Sequence, residues 1–151
     1  MNFHDLDEVL DAFYASISGP AGMQDWELSA RLLHTDARMV RTRLDEAGRP
    51  VAFSFSVEEY RKNTAPLLAR MDFYEREVAR RTIRFGNIAQ VFSAYEAHDR
   101  LDGGKLLKRG MNMIHLYDDS HRWWIMHVIW DDEREGVAIP AAIFDQWQDK
   151  G

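Results

Sequence analysis

The sequence predicts an α+β fold in which three helices pack on a strongly curved, mostly antiparallel sheet. Three observations predict it. The apolar pattern runs helix, helix, hairpin, helix and then four successive strands, and strands grouped beside segregated helices indicate α+β. The last two strands, LLKRGMNMIHLY and RWWIMHVIWD, flank the turn-forming residues DDSH over 106 to 131, a strong hairpin signal. Both faces of that hairpin are largely apolar, so both need cover, one from the helices and the other from a partner.

In chain order, Leu6, Val9, Leu10, Phe13 and Ile17 form one helical stripe with acidic residues in the first turn. SGPAG (18 to 22) stops that helix, and a second begins near Asp25 and ends around His34 to Asp36. His34 and Asp36 read as a helix cap and turn rather than a catalytic dyad. Strands over 37 to 45 and 50 to 55 follow. A turn centred on Ala47–Gly48 pairs Leu44 with Val51, Thr42 with Phe53 and Val40 with Phe55. SVEE (56 to 59) is a capping box that starts a third helix, which Pro66 should kink or split. Two strands meet at Gly86–Asn87, pairing Val78 with Tyr95, Arg80 with Ser93, Thr82 with Val91 and Arg84 with Ala89. A loop at Asp102–Gly103 sets Ser93 opposite Asn112 and Tyr95 opposite Gly110, a natural bend point. The final turn sets Ile114 opposite Ile125 and Asn112 opposite His127. The chain reads as a single domain over 1–151, with 133–151 a tail that forms a short helix from Pro140.

The totals narrow the function. A chain of 151 residues, 46% apolar and 29% charged, can bury one core. The net charge of −6 argues against nucleic acid as a partner. No apolar run approaches the ~20 residues needed to cross a bilayer. The N-terminus lacks the pattern of a secretion signal, so a cytoplasmic location is expected. Without cysteine, disulfides, thiol nucleophiles and thiolate metal sites are out. The six histidines lie apart in the sequence, so no metal site and no cofactor are expected.

Three stretches carry a family resemblance: the helix-to-strand junction LLHTDARMV (32 to 40), FGNIAQVFSAY (85 to 95) and RWWIMHVIWDDE (122 to 133). Together with the two leading helices, they make the chain resemble the SnoaL-like branch of the NTF2-like superfamily. The resemblance implies a cone-shaped (cystatin-like) fold with a pocket inside, commonly dimeric. It implies no single chemistry, because the superfamily holds isomerases, dehydratases, polyketide cyclases, transport factors and non-catalytic binders.

The expected registers place Arg80, Ser93, Asn112 and His127 in a polar row across four strands, bordered by Tyr95, Trp123 and Ile125. A few polar groups in an apolar concavity make a small-molecule site. His127 is the candidate acid–base group, with Asp131 beyond it toward the rim. Tyr14, Trp26 and Tyr60 on the helices can cap the cavity, although Trp26 reads equally as core. The resemblance to ketosteroid isomerases implies a carboxylate deep in the cavity. The expected registers show none at the centre, with Glu75 and Asp131 nearer the ends. The resemblance to dehydratases implies a histidine, an aspartate and aromatic hydroxyls, for which His127, Asp131, Tyr14 and Tyr60 are the matching types. The expected function is therefore binding of a small apolar or aromatic molecule. The alternative is a cofactor-free lyase, isomerase or cyclase working through His127. A homodimer is expected through the outer sheet face, which carries Met111, Met113, His115, Tyr117, Trp124, Met126 and Trp130.

Overall fold

The structure, a computed structural model, describes residues 1 to 147. The last four residues of the expected tail lie outside the described residues. Three helices, α1 (Leu6–Ser16), α2 (Trp26–Leu32) and α3 (Val57–Leu68), cover one face of a six-stranded sheet. The strands are β1 (Leu33–Leu44), β2 (Pro50–Phe55), β3 (Tyr74–Phe85), β4 (Ile88–His98), β5 (Leu106–Asp118) and β6 (Trp123–Asp132). Their spatial order is β2-β1-β6-β5-β4-β3, with β1 and β6 parallel and every other pair antiparallel. Among the described residues, no helix is long and apolar enough to cross a membrane.

Local chemistry starts and stops the helices. Asp5 caps α1 by accepting from the Asp7 and Glu8 amides, and the buried face of α1 is Leu6, Val9, Leu10 and Phe13. Ser56 and Glu59 form the capping box of α3. That helix runs through Pro66 and ends at Leu68. The proline therefore removes one ladder bond in the last turn and does not split the helix. The core gathers α1 and α2 against Met39, Val91, Ile114, Leu116, Ile125 and Val128 of the sheet.

Three irregularities decide which side chains face the helices. At the first hairpin, Asp45 N donates to Arg49 O at 2.8 Å around a three-residue loop in which Gly48 has φ +77°. A three-residue loop shifts the expected pairing by one. Met39 therefore faces Phe55, Arg41 faces Phe53 and Arg43 faces Val51. In β3, Glu77 pairs with Tyr95 and Ala79 with Ala94, leaving Val78 as a bulge. Beyond it, Glu77 and Glu75 take the inner positions expected for Val78 and its neighbours. In β6, Leu116 faces Ile125 but His115 faces His127, so Met126 is bulged out. A bulge reverses the alternation of everything after it. The last turn also departs from the expected register by two residues, with Tyr117 facing Trp124 rather than Arg122. That shift keeps the faces, and the bulge adds the one residue that exchanges them. Ile114 therefore faces Val128 rather than Ile125, and Asn112 faces Trp130 rather than His127. The expected pairings of Arg80, Thr82 and Arg84 on β3, and of Ser93–Asn112 and Tyr95–Gly110, hold.

The tail closes back on the outer face. A short helix, α4 (Ala141–Gln146), follows Pro140, which is its N-cap. Trp147 lies against Phe92 at 5.8 Å, and its carbonyl accepts from the Arg80 amide at 3.0 Å on the sheet edge. Part of the face expected to need a partner is thus covered by the chain itself.

Candidate active-site cavity

A cavity of about 410 Å³ opens between the inner sheet face, α1 and α3. Strands β1 and β3 stand four places apart in the sheet, yet Met39 and Arg41 of one and Glu75 of the other line it. A flat sheet would separate them by roughly 19 Å at ~4.8 Å per strand, so the sheet must wrap around the cavity. The walls are mainly apolar: Phe13, Leu68, Phe73, Val128 and Trp130 contribute, with Leu67, Met71 and Leu107 more exposed.

The polar groups in this lining are few. Glu75 is nearly enclosed, and burial pushes its carboxyl up to about 7; Lys108 opposes that shift and Asp132 adds to it. Lys108 Nζ sits 3.9 Å from both carboxylates and packs over the Phe73 and Tyr95 rings. Tyr95 donates its hydroxyl hydrogen to Asp132. Burial, reinforced by Asp132, holds that phenol far above the usual range. Gly110 makes room for this pair, because a Cβ there would strike the Tyr95 hydroxyl and the Asp131 carbonyl. Tyr60 is buried between Trp26 at 6.1 Å and Trp130 at 6.2 Å, and desolvation raises its phenol as well. Arg41 stacks near Phe55 and Trp130 and donates to Asn63 at 3.0 Å.

Behind the lining runs a second polar group. Asn112 Nδ2 donates to the Tyr14 hydroxyl at 2.9 Å, Tyr14 and Ser93 share a hydrogen bond of 2.6 Å, and Ser93 donates to Glu77. Glu77 accepts from Arg80 at 2.7 Å, and Arg80 also pairs with Asp7 and Asp11 of α1. Arg80 is 2% exposed and engaged by three carboxylates.

Of the residues expected at the site, Tyr60, Tyr95 and Asn112 line the cavity, and Tyr14 and Ser93 support Asn112 from behind. Arg80 faces inward but is spent on its acidic partners. Trp123 and Ile125 are core, at 5% and 0% exposure, and Trp26 lines a separate groove beside α2 and α3. His127 and Asp131 lie outside the cavity because the Met126 bulge turns them to the outer face. There His127 packs on His115 at 5.7 Å, and Asp131 pairs with Arg134 at 2.9 Å. Burial, followed by the His115 charge, lowers the basicity of His127. His34 and Asp36 lie within β1 rather than at a helix end and turn, because α2 stops at Leu32. His34 Nδ1 accepts from the Asp36 amide at 3.1 Å, where the pairing with β6 is irregular between Leu33 and Arg38. Glu75, Asp132, Lys108, Arg41 and Trp130 were not among the expected site residues. The bulges bring Glu75, Asp132 and Trp130 to the inner face. Arg41 falls on the outer face in the expected first hairpin, and Lys108 shares the inner parity of Asn112 without any pattern that marks it.

No protein-family model matches the sequence, and no curated protein matches it. Solved structures do. An NTF2-like superfamily protein from Salmonella enterica is 15% identical, with 89% of this chain and 94% of that one covered at a TM-score of 0.64. A provisionally assigned scytalone dehydratase from Novosphingobium aromaticivorans is 11% identical, with coverage of 86% and 83% and a TM-score of 0.64. A provisionally assigned ketosteroid isomerase from Shewanella frigidimarina is 19% identical, with coverage of 82% and 92% and a TM-score of 0.57. At these identities the likeness is one of architecture, and the chain has the NTF2-like, or cystatin-like, α+β fold.

Proposed function

We propose that the cone cavity binds one small, mostly apolar molecule and that Glu75 meets its polar end. The carrying observation is a carboxyl group enclosed by apolar walls and raised to about 7. Burying an ionisable group in such a place costs stability and is typical of functional sites. Arg41, rather than the carboxylate-bound Arg80, is the guanidinium that lines the cavity. Among the described residues it faces aromatic rings and an amide but no carboxylate, so an acidic group on the ligand would complete it.

A second reading, cofactor-free proton transfer, is favoured by the same carboxyl. Near pH 7 it is part ionised and part protonated, so it can take a proton from carbon and return it elsewhere. The lyase, isomerase or cyclase alternative therefore moves from His127 to Glu75. Structural neighbours provisionally assigned as an isomerase and a dehydratase are consistent with it. A homodimer through the uncovered part of the outer face completes the proposal.

The test uses 2-tetralone, an enolisable aromatic ketone that fits the cavity's size. The wild type should gain thermal stability from it, as any ligand of the native state produces. It should also speed exchange of the α-hydrogens for deuterium, read by NMR. Glu75→Gln should keep the thermal shift and lose the exchange. Equal exchange in both proteins would remove Glu75 from the chemistry, and no thermal shift with this or other small aromatic ketones and acids would remove the binding site.

A further inference from the structure

Asn112 stands in the cavity wall at the end of a hydrogen-bond chain whose direction is set from its far end. The buried Arg80 guanidinium donates to Glu77, Asp7 and Asp11, and Glu77 accepts at both carboxyl oxygens, from Arg80 and from Ser93. Ser93 spends its one hydroxyl hydrogen on Glu77. Tyr14 must therefore donate to Ser93 across their 2.6 Å contact. Burial keeps the Tyr14 phenol protonated, and with that hydrogen spent its oxygen can only accept. The Asn112 amide nitrogen supplies the missing donor at 2.9 Å. Any other direction leaves two hydrogens or two lone pairs face to face.

An asparagine amide has two ends of equal size and, left alone, can flip to suit a donor or an acceptor. This chain removes that freedom by holding the nitrogen against Tyr14. Among the described residues nothing donates to the Asn112 carbonyl oxygen, and the residue lines the cavity. We propose that Asn112 is locked as a hydrogen-bond acceptor toward the ligand, so that the ligand carries a hydroxyl or N–H donor at this wall. Arg80, Glu77, Ser93 and Tyr14 are the positioning residues that hold the lock. The lock rests on the reading that the cavity binds a small apolar molecule.

The probes are 2-naphthol, which can donate, and 2-methoxynaphthalene, which cannot. In the wild type, naphthol should bind on the order of tenfold tighter by titration calorimetry, because the ether sets one lone pair against another. Ser93→Ala leaves the Tyr14 hydrogen without its acceptor. The Asn112 amide can then turn, accept from Tyr14 and present its nitrogen to the ligand. The ratio of the two affinities should fall by about the same factor, while the loss of the Ser93–Glu77 bond lowers the melting temperature of the folded variant. If Ser93→Ala does not fold, Tyr14→Phe frees the amide by removing its anchor and should lower the ratio likewise. Equal binding of both probes to the wild type, or a ratio unchanged in a folded variant, overturns the lock and leaves the binding cavity standing. If neither probe binds the wild type, the cavity reading fails and the lock fails with it.

Discussion

Glu75 illustrates how one side chain can weaken the fold that holds it. Its carboxyl moves from the ordinary 4.5 to about 7 chiefly because burial penalises the charged form. The folded value lies above the unfolded one. Its contribution to stability is therefore full below about pH 4.5 and is lost as pH rises to about 7. A shift of this size corresponds to about 3 kcal/mol. Glu75→Gln carries no charge to desolvate, so it should gain stability over the wild type as pH is raised from 4.5 to 8. Melting curves across that range test this, and a constant difference between the two proteins would mean that Glu75 is not desolvated. Arg80 shows the opposite use of burial. Its three carboxylates compensate a nearly inaccessible charge, which keeps it from acting as a ligand cation.

At the scale of the strands, the site is made by departures from regularity. The Val78 bulge turns Glu77 and Glu75 inward, and the Met126 bulge turns Trp130 and Asp132 inward while sending His127 and Asp131 out. Gly110 completes the arrangement on β5. It lies opposite both Tyr95 and Asp132, and only the absence of a side chain lets the Tyr95 hydroxyl reach the aspartate. Gly110→Ala should destabilise the protein by roughly 1 to 3 kcal/mol through overpacking. Urea unfolding measures this, and a change within error would mean that the strand relaxes to admit a methyl group. The effect should persist in Asp132→Asn, since backbone crowding against Asp131 remains.

At the scale of the molecule, the outer sheet face is only partly closed. α4 and Trp147 cover the region around Phe92 and Arg109. Ile83, Phe85, Ile88, Met113 and Tyr117 remain exposed, Phe85 at 83%. Phe85, Ile88 and Tyr117 are register neighbours across β3, β4 and β5, and we propose that a two-fold pair closes this apolar surface. Light scattering at micromolar concentration should give twice the chain mass, and Met113→Glu should halve it. A monomeric wild type would defeat the expectation. Trp124 is a poor site for that test, because its indole N–H already donates to Asp119 at 2.9 Å and its ring packs on His34.

What the sequence by itself determined is whatever depends on local pattern. The helix stripes, the Ser56 capping box, the Gly86–Asn87 turn and the order of strands all follow from periodicity and turn chemistry. So does the Ser93–Asn112 pairing that supports the inner wall. What only the tertiary structure decided is the cast of the site. A bulge inserts one residue into a strand to suit curvature and packing across neighbouring strands, and nothing at Val78 or Met126 announces it. Strand alternation has a period of two, so a single extra residue exchanges every later side chain between cavity and surface. For that reason His127 stood at the centre of the sequence reading, while Glu75 holds the cavity.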